Sequence, residues 1–111
     1  MVKSSKAIPQ SLIDSAKLGY PKSQYELGWK LYFGTGTDKD KEEAVNWFQL
    51  SADQNYCEAE YQLAICYLTG RGLEQDIKLS IHYLLAAAEH GHVDACYKLF
   101  EILRIENDGK Y

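Results

Sequence analysis

Apolar residues return along this chain at spacings of three and four, in short separate stretches, which is the pattern of amphipathic helices. Leu12, Ile13 and Ala16 give residues 9–18 one apolar stripe, with Pro9 suited to the first turn and Gly19 to the stop. After a turn at Tyr20-Pro21-Lys22, Ser23 begins a second helix that carries Tyr25, Leu27, Gly28, Leu31 and Tyr32 and ends at Gly34. Ala44, Val45, Trp47, Phe48 and Ala52 mark a third over about 41–53. Three more follow, over about 58–69, 77–90 and 93–106. In the fifth, Ile81, Tyr83, Leu84, Leu85 and the alanines 86–88 are apolar over most of the circumference, so it is expected to be sandwiched. The sixth carries Tyr97, Leu99, Phe100, Leu103 and Ile105, and its outer face is expected to lack a covering helix. Residues 1–8 are polar and expected to fray.

The helices come in a repeating order. Gly34-Thr35-Gly36 returns 36 residues later as Gly70-Arg71-Gly72, and the same spacing relates Tyr25, Leu27, Asp40 and Ala52 to Tyr61, Leu63, Asp76 and Ala88. A fixed period of this size marks a repeat architecture, in which each unit buries its apolar face on its neighbours. The reading is one domain over 1–111: a half-repeat helix (9–22), repeat 1 (23–58), repeat 2 (59–94) and a second half-repeat helix (95–106). Asp40 and Asp76 stand as N-caps, and Glu43 completes a capping-box pattern in the first copy only. Asn55 takes the left-handed place that Gly91 holds one period later. Gly28 costs its helix about 1 kcal/mol, so close approach of the partner helix is expected there.

Composition narrows the function. A net charge of −4 speaks against nucleic acid, which wants a basic stripe. No apolar run approaches the ~18 residues of a membrane span. The basic opening lacks the apolar core of a secretory signal, so a cytoplasmic address is expected. Cys57, Cys66 and Cys96 read as free thiols, with Cys66 and Cys96 acting as small apolar residues within helices.

The repeat resembles a known family. Ala59, Leu63, Ala64, Tyr67, Gly70, Gly72, Asp76, Tyr83, Ala87, Ala88, Gly91 and Ala95 together look like the Sel1-like repeat. The first copy departs from it, with Leu31 at an aromatic position, Ser51 at an alanine and Asn55 at a glycine. The resemblance covers roughly residues 16–103. The tetratricopeptide repeat, with 34 residues, fits neither the period nor the G-x-G loop. The resemblance implies an all-α fold, a right-handed α-α superhelix of antiparallel helix pairs. It also implies an adaptor rather than a catalyst. Some relatives are secreted virulence factors, and cysteine-rich ones are linked to penicillin binding. The regular cysteine pair of that subgroup is missing here.

Candidate chemistry is sparse. His82, His90 and His92 lack metal-ligand spacing, so no metal is expected. His90 near a helix C-terminus has a plain role beside the helix dipole. No nucleophile motif or phosphate loop is present, and neither enzyme activity nor a cofactor is expected. The charged run 38–43 reads as a solvated cap region. Trp29 and Phe33 lie four apart at positions that Ile65 and Thr69 fill in repeat 2. First helices tend to line the concave binding face of such solenoids. Glu26, Trp29, Lys30, Phe33, Ile65 and Thr69 are therefore the expected partner-binding residues, with the alternative that Trp29 packs under the N-terminal helix. Phe100, Leu103 and Ile105 form a possible second contact surface, for a partner or for self-association. The expected function is a non-catalytic adaptor or scaffold binding another protein, without nucleic acid or membrane. The alternative is a small immunity- or inhibitor-type protein that neutralises one toxin or enzyme, and the outsider is a hydrolase.

Overall fold

The structure is a computed structural model that describes the backbone of residues 8–108 and the side chains of residues 8–104. Six helices make up these residues, with no strand among them: α1 (Gln10–Leu18), α2 (Pro21–Phe33), α3 (Lys41–Ala52), α4 (Cys57–Thr69), α5 (Ile77–Glu89) and α6 (Val93–Asp108). Each packs on its neighbours in sequence, α2 on α3 and α4 on α5 most extensively. The fold is all-α, a short solenoid of helix pairs. A radius of gyration of 15.5 Å exceeds the ~13 Å of a compact domain this long, as stacking in one direction requires. The segment 1–7 and the Ile105 side chain lie outside the described residues.

The period is visible in the hydrogen bonds that close each helix. The N–H groups of Tyr20, Tyr56 and His92 donate to the carbonyls of Ser15, Ser51 and Ala87, and the residue before each has positive φ: Gly19, Asn55 and Gly91. This six-residue closure satisfies carbonyls that a helix end leaves orphaned. Asn55 thus fills a glycine position because asparagine tolerates the left-handed region. Ser51, in place of an alanine, is fully buried, and its hydroxyl donates to Pro21 O at 2.8 Å, tying the end of α3 to the start of α2. In the long loops, Asp40 N–H donates to Leu31 O and Asp76 N–H to Tyr67 O. Both aspartates then cap the next helix, accepting from Glu43 N–H at 2.9 Å and Leu79 N–H at 3.1 Å.

Five local expectations need correction. α1 begins at Gln10, with Pro9 extended at the cap rather than in the first turn. α2 begins at Pro21, two residues before Ser23, because proline at the first helical position lacks only an N–H that has no helical partner there. The capping box does not close. Asp40 N–H already serves Leu31 O, and the Glu43 carboxylate instead accepts the Trp47 indole at 3.3 Å. Cys96 faces water, whereas Cys66 is fully buried as expected. Leu85 is 52% exposed, so α5 is sandwiched on only part of its surface.

One continuous cluster forms the larger core, from Ala16 on α1 through Leu27, Leu31 and Tyr32, Ala44, Val45 and Phe48, to Leu63 and Cys66. A second cluster joins Ala64, Leu84, Ala87 and Ala95. Gly28 shows why the helix pairs match. A Cβ there would stand 2.7 Å from Phe48 Cε1 and 3.2 Å from Ala44 O, so the close approach of α3 requires glycine. One period later Leu84 replaces the Phe48 ring, and Ala64 fits.

Candidate functional site

α2 turns one flank away from this core. Leu27, Gly28, Leu31 and Tyr32 are buried against α3, and spacings of three and four place Tyr25, Trp29 and Phe33 in a row beside them. Trp29 and Phe33 stack with ring centroids 4.5 Å apart, and Tyr25 meets Trp29 edge-on at 6.3 Å. Tyr25 also packs on Phe48 and Tyr56, which fixes the near end of the row to the core. Phe33 is the outermost ring, nearly half exposed.

Beside this row lies an open groove of about 480 Å³, lined by Tyr25, Glu26, Trp29, Lys30 and Thr35. Two aromatic side chains thus line it together with a carboxylate, an ammonium and a hydroxyl. Burial raises the Tyr25 hydroxyl above the ordinary tyrosine range, a hydrogen bond with Trp29 opposes this, and the Glu58 charge adds to the rise. Burial likewise raises Tyr56, with Glu58 and then Glu26 contributing. The Glu58 charge thus acts on both tyrosines, and Glu26 on Tyr56 alone.

The structure brings Glu26, Trp29 and Lys30 together in the groove and stacks Phe33 on Trp29. Trp29 is also half-buried and packs against the cluster that Leu12 and Ile13 of α1 cover, so it serves core and groove at once. Ile65 and Thr69 do not line this groove; the Thr69 hydroxyl donates to Ile65 O at 2.8 Å within α4. Two groove residues were not among the expected set. Tyr25 was marked only as a repeat landmark, although its i, i+4 relation to Trp29 was a usable signal. Thr35 reaches the groove because the left-handed turn at Gly34 folds it back beside α2.

On α6, Tyr97, Phe100 and Leu103 are exposed, and a second hollow of about 380 Å³ is lined by Tyr97, Phe100, Glu101 and Arg104. The histidines are placed separately. His90 Nδ1 lies 2.8 Å from the buried Glu60 carboxylate, His92 stacks on Tyr61 at 4.4 Å, and His82 meets Tyr83 edge-on. Among the described residues no group of three His, Cys, Asp or Glu side chains is arranged to hold a metal ion, and no helix is long and apolar enough to cross a membrane.

Residues 21–56 and 57–92 each match the family model of the Sel1 repeat, together well over half of the chain. The chain belongs to the Sel1 repeat family. Sel1-repeat proteins generally mediate protein–protein interaction and are typically non-catalytic scaffolds. The fold is similar to that of a protective antigen of uropathogenic Escherichia coli strains displaying an SLR fold. Identity is 32% over 79% of this chain and 19% of that one, with a TM-score of 0.78. A Sel1 repeat protein from Oxalobacter formigenes is also 32% identical, over 81% of this chain and 37% of that one, with a TM-score of 0.79. This chain thus spans well under half the length of either. Cysteine-rich protein B of Helicobacter pylori has a TM-score of 0.78 at 22% identity, over 81% of this chain and 68% of that one, a likeness of fold alone. Among curated proteins, none matches.

Proposed function

We propose that this Sel1-repeat chain is a non-catalytic adaptor that binds a partner protein through the α2 groove. The observation that carries the reading is the Trp29–Phe33 stack beside a groove lined in part by Glu26, Lys30 and Thr35. Rigid aromatic side chains held by their own packing lose little freedom on binding, which is why such residues dominate interface energetics. Position within the repeat supports the same reading. Gln24, Leu27 and Gly28 of α2 are buried again in α4 as Glu60, Leu63 and Ala64, whereas Trp29 and Phe33 give way to Ile65 and Thr69, so the repeat does not require aromatics there. Cys57, Cys66 and Cys96 as free thiols suit a reducing compartment, and the cytoplasm is the proposed address.

Affinity capture from native lysate tests the proposal, with wild type compared to Trp29→Ala/Phe33→Ala and to the control Leu18→Ala, an exposed side chain that does not line the groove. The expected result is one stoichiometric protein partner, held by wild type and control and lost by the double variant. A partner retained by a folded double variant refutes the site, and turnover of a substrate by the purified chain refutes the class.

A further inference from the structure

α6 carries the barest apolar stripe among the described residues: Tyr97 is 68% exposed, Phe100 74% and Leu103 46%. In repeat register these stand where α4 has Tyr61, Ala64 and Tyr67, and where α2 has Tyr25, Gly28 and Leu31. On α2 and α4 that face is covered by the next helix, and the middle position sets how close it comes. A Cβ on Gly28 would already stand 2.7 Å from Phe48, and Ala64 is fully buried, its carbonyl accepting the Ser80 hydroxyl at 2.8 Å. A benzyl group at that position leaves no room for such an approach. Phe100 therefore bars another helix from packing on α6 as α3 packs on α2. Whatever covers α6 arrives farther out and must accommodate the ring.

α6 itself offers the accommodation. The hollow of about 380 Å³ lined by Tyr97, Phe100, Glu101 and Arg104 lies beside the projecting Phe100 ring and is large enough for an aromatic side chain. A knob and a hole adjacent on one helix are self-complementary about a two-fold axis. Only that closed arrangement fills both at once, whereas a head-to-tail contact leaves one of each open and propagates. We propose that two copies of this chain associate through α6, antiparallel about a two-fold axis near Phe100, each ring seated in the hollow of the other.

The charges agree with this pairing. An antiparallel crossing at Phe100 sets Lys98 of each copy nearly level with Glu101 of the other, opposite charges that already meet at 3.1 Å within each helix. Tyr97 and Phe100 leave roughly 300 Å² of aromatic surface in water. With Leu103 and Val93 of the same helix, the apolar area reaches roughly 500 Å² per copy, at the low end for a specific interface. The expected dimer is therefore weak and reversible.

Sedimentation equilibrium of the full chain is expected to show a monomer–dimer equilibrium with a dissociation constant on the order of 10 μM. Phe100→Ala, which gives α6 the residue that α4 has at this position, is expected to weaken the dimer about tenfold or more with unchanged circular dichroism. Leu18→Glu, at a side chain 78% exposed on α1, is expected to leave the dimer intact. Wild type that stays monomeric at about 200 μM overturns the proposal. So does a Phe100→Ala dimer as tight as wild type, or an open-ended series of oligomers.

Discussion

His90 Nδ1 lies 2.8 Å from the buried carboxylate of Glu60, at the two register positions where, in the first repeat, Gln54 Nε2 donates to Gln24 Oε1 at 2.9 Å. The same joint between the end of one second helix and the start of a first helix is thus built twice, once from amides and once from ionisable groups. His90→Ala leaves a buried acceptor unpaired and is expected to cost about 1–3 kcal/mol. Glu60→Gln/His90→Gln, which copies the first repeat into the second, is expected to recover most of that. Urea unfolding of the three proteins measures it. A neutral His90→Ala would show that the pair contributes nothing.

The contact of Gly28 with Phe48 predicts a coupled pair. Gly28→Ala gains helix propensity of about 1 kcal/mol. The new methyl group must displace a fully buried ring at 2.7 Å, which typically costs 1–3 kcal/mol or about that. Net destabilisation is expected. With Phe48→Leu added, the pair becomes that of Ala64 and Leu84, and the second change should cost less than it does alone. A double-mutant cycle that shows strict additivity contradicts this packing.

Three thiols in three environments should react in order. Burial pushes the Cys66 thiol up to about 11, with Arg71 and Lys41 opposing, and also raises Cys57, whose Glu58 and Glu60 neighbours add to the effect. Cys96 is exposed. A thiol reagent at neutral pH should therefore label Cys96 first, Cys57 slowly and Cys66 only on unfolding. Peptide mapping of the native protein checks the order, and early labelling of Cys66 would contradict it.

The same burial has a consequence in alkali. A thiol held protonated in the folded state binds its proton more tightly there than in the unfolded chain. Stability from this source is complete below the unfolded thiol's value, 9.0, and is lost as pH rises toward about 11. Tyr25, Tyr56 and Tyr67 are raised as well, each chiefly by burial, and extend the loss upward. Thermal midpoints are expected to hold up to pH 9 and fall beyond it. Cys66→Ala should flatten the first part of that fall; an unchanged profile in the variant would locate its origin elsewhere.

The repeat was legible because its determinants are local. Glycines at fixed φ, aspartates at caps and a three–four apolar spacing act within a few residues, so helices and their order follow from the chain itself. What the sequence hid depends on choices between partners. Glu43 had two donors within reach and took the Trp47 indole, because the Asp40 N–H was already bound across the loop. Cys96 and Leu85 have apolar neighbours in sequence yet are exposed, because which side of a helix is covered is decided only when the helices pack. Within the groove, Trp29 and Phe33 were readable as positions that differ between repeats. Thr35 was not, because a left-handed turn, not a periodicity, carries it there.

The central claim, that a protein partner binds at the α2 groove, is tested most directly by the fluorescence of Trp29. The chain has two tryptophans, so Trp47→Phe leaves Trp29 as the sole reporter, at the wall of the groove. Titration of this variant with the captured partner is expected to shift or quench the emission in a saturable way, with an affinity equal to that measured independently. Emission that stays constant while the partner binds would place the interface elsewhere on the solenoid and contradict the account.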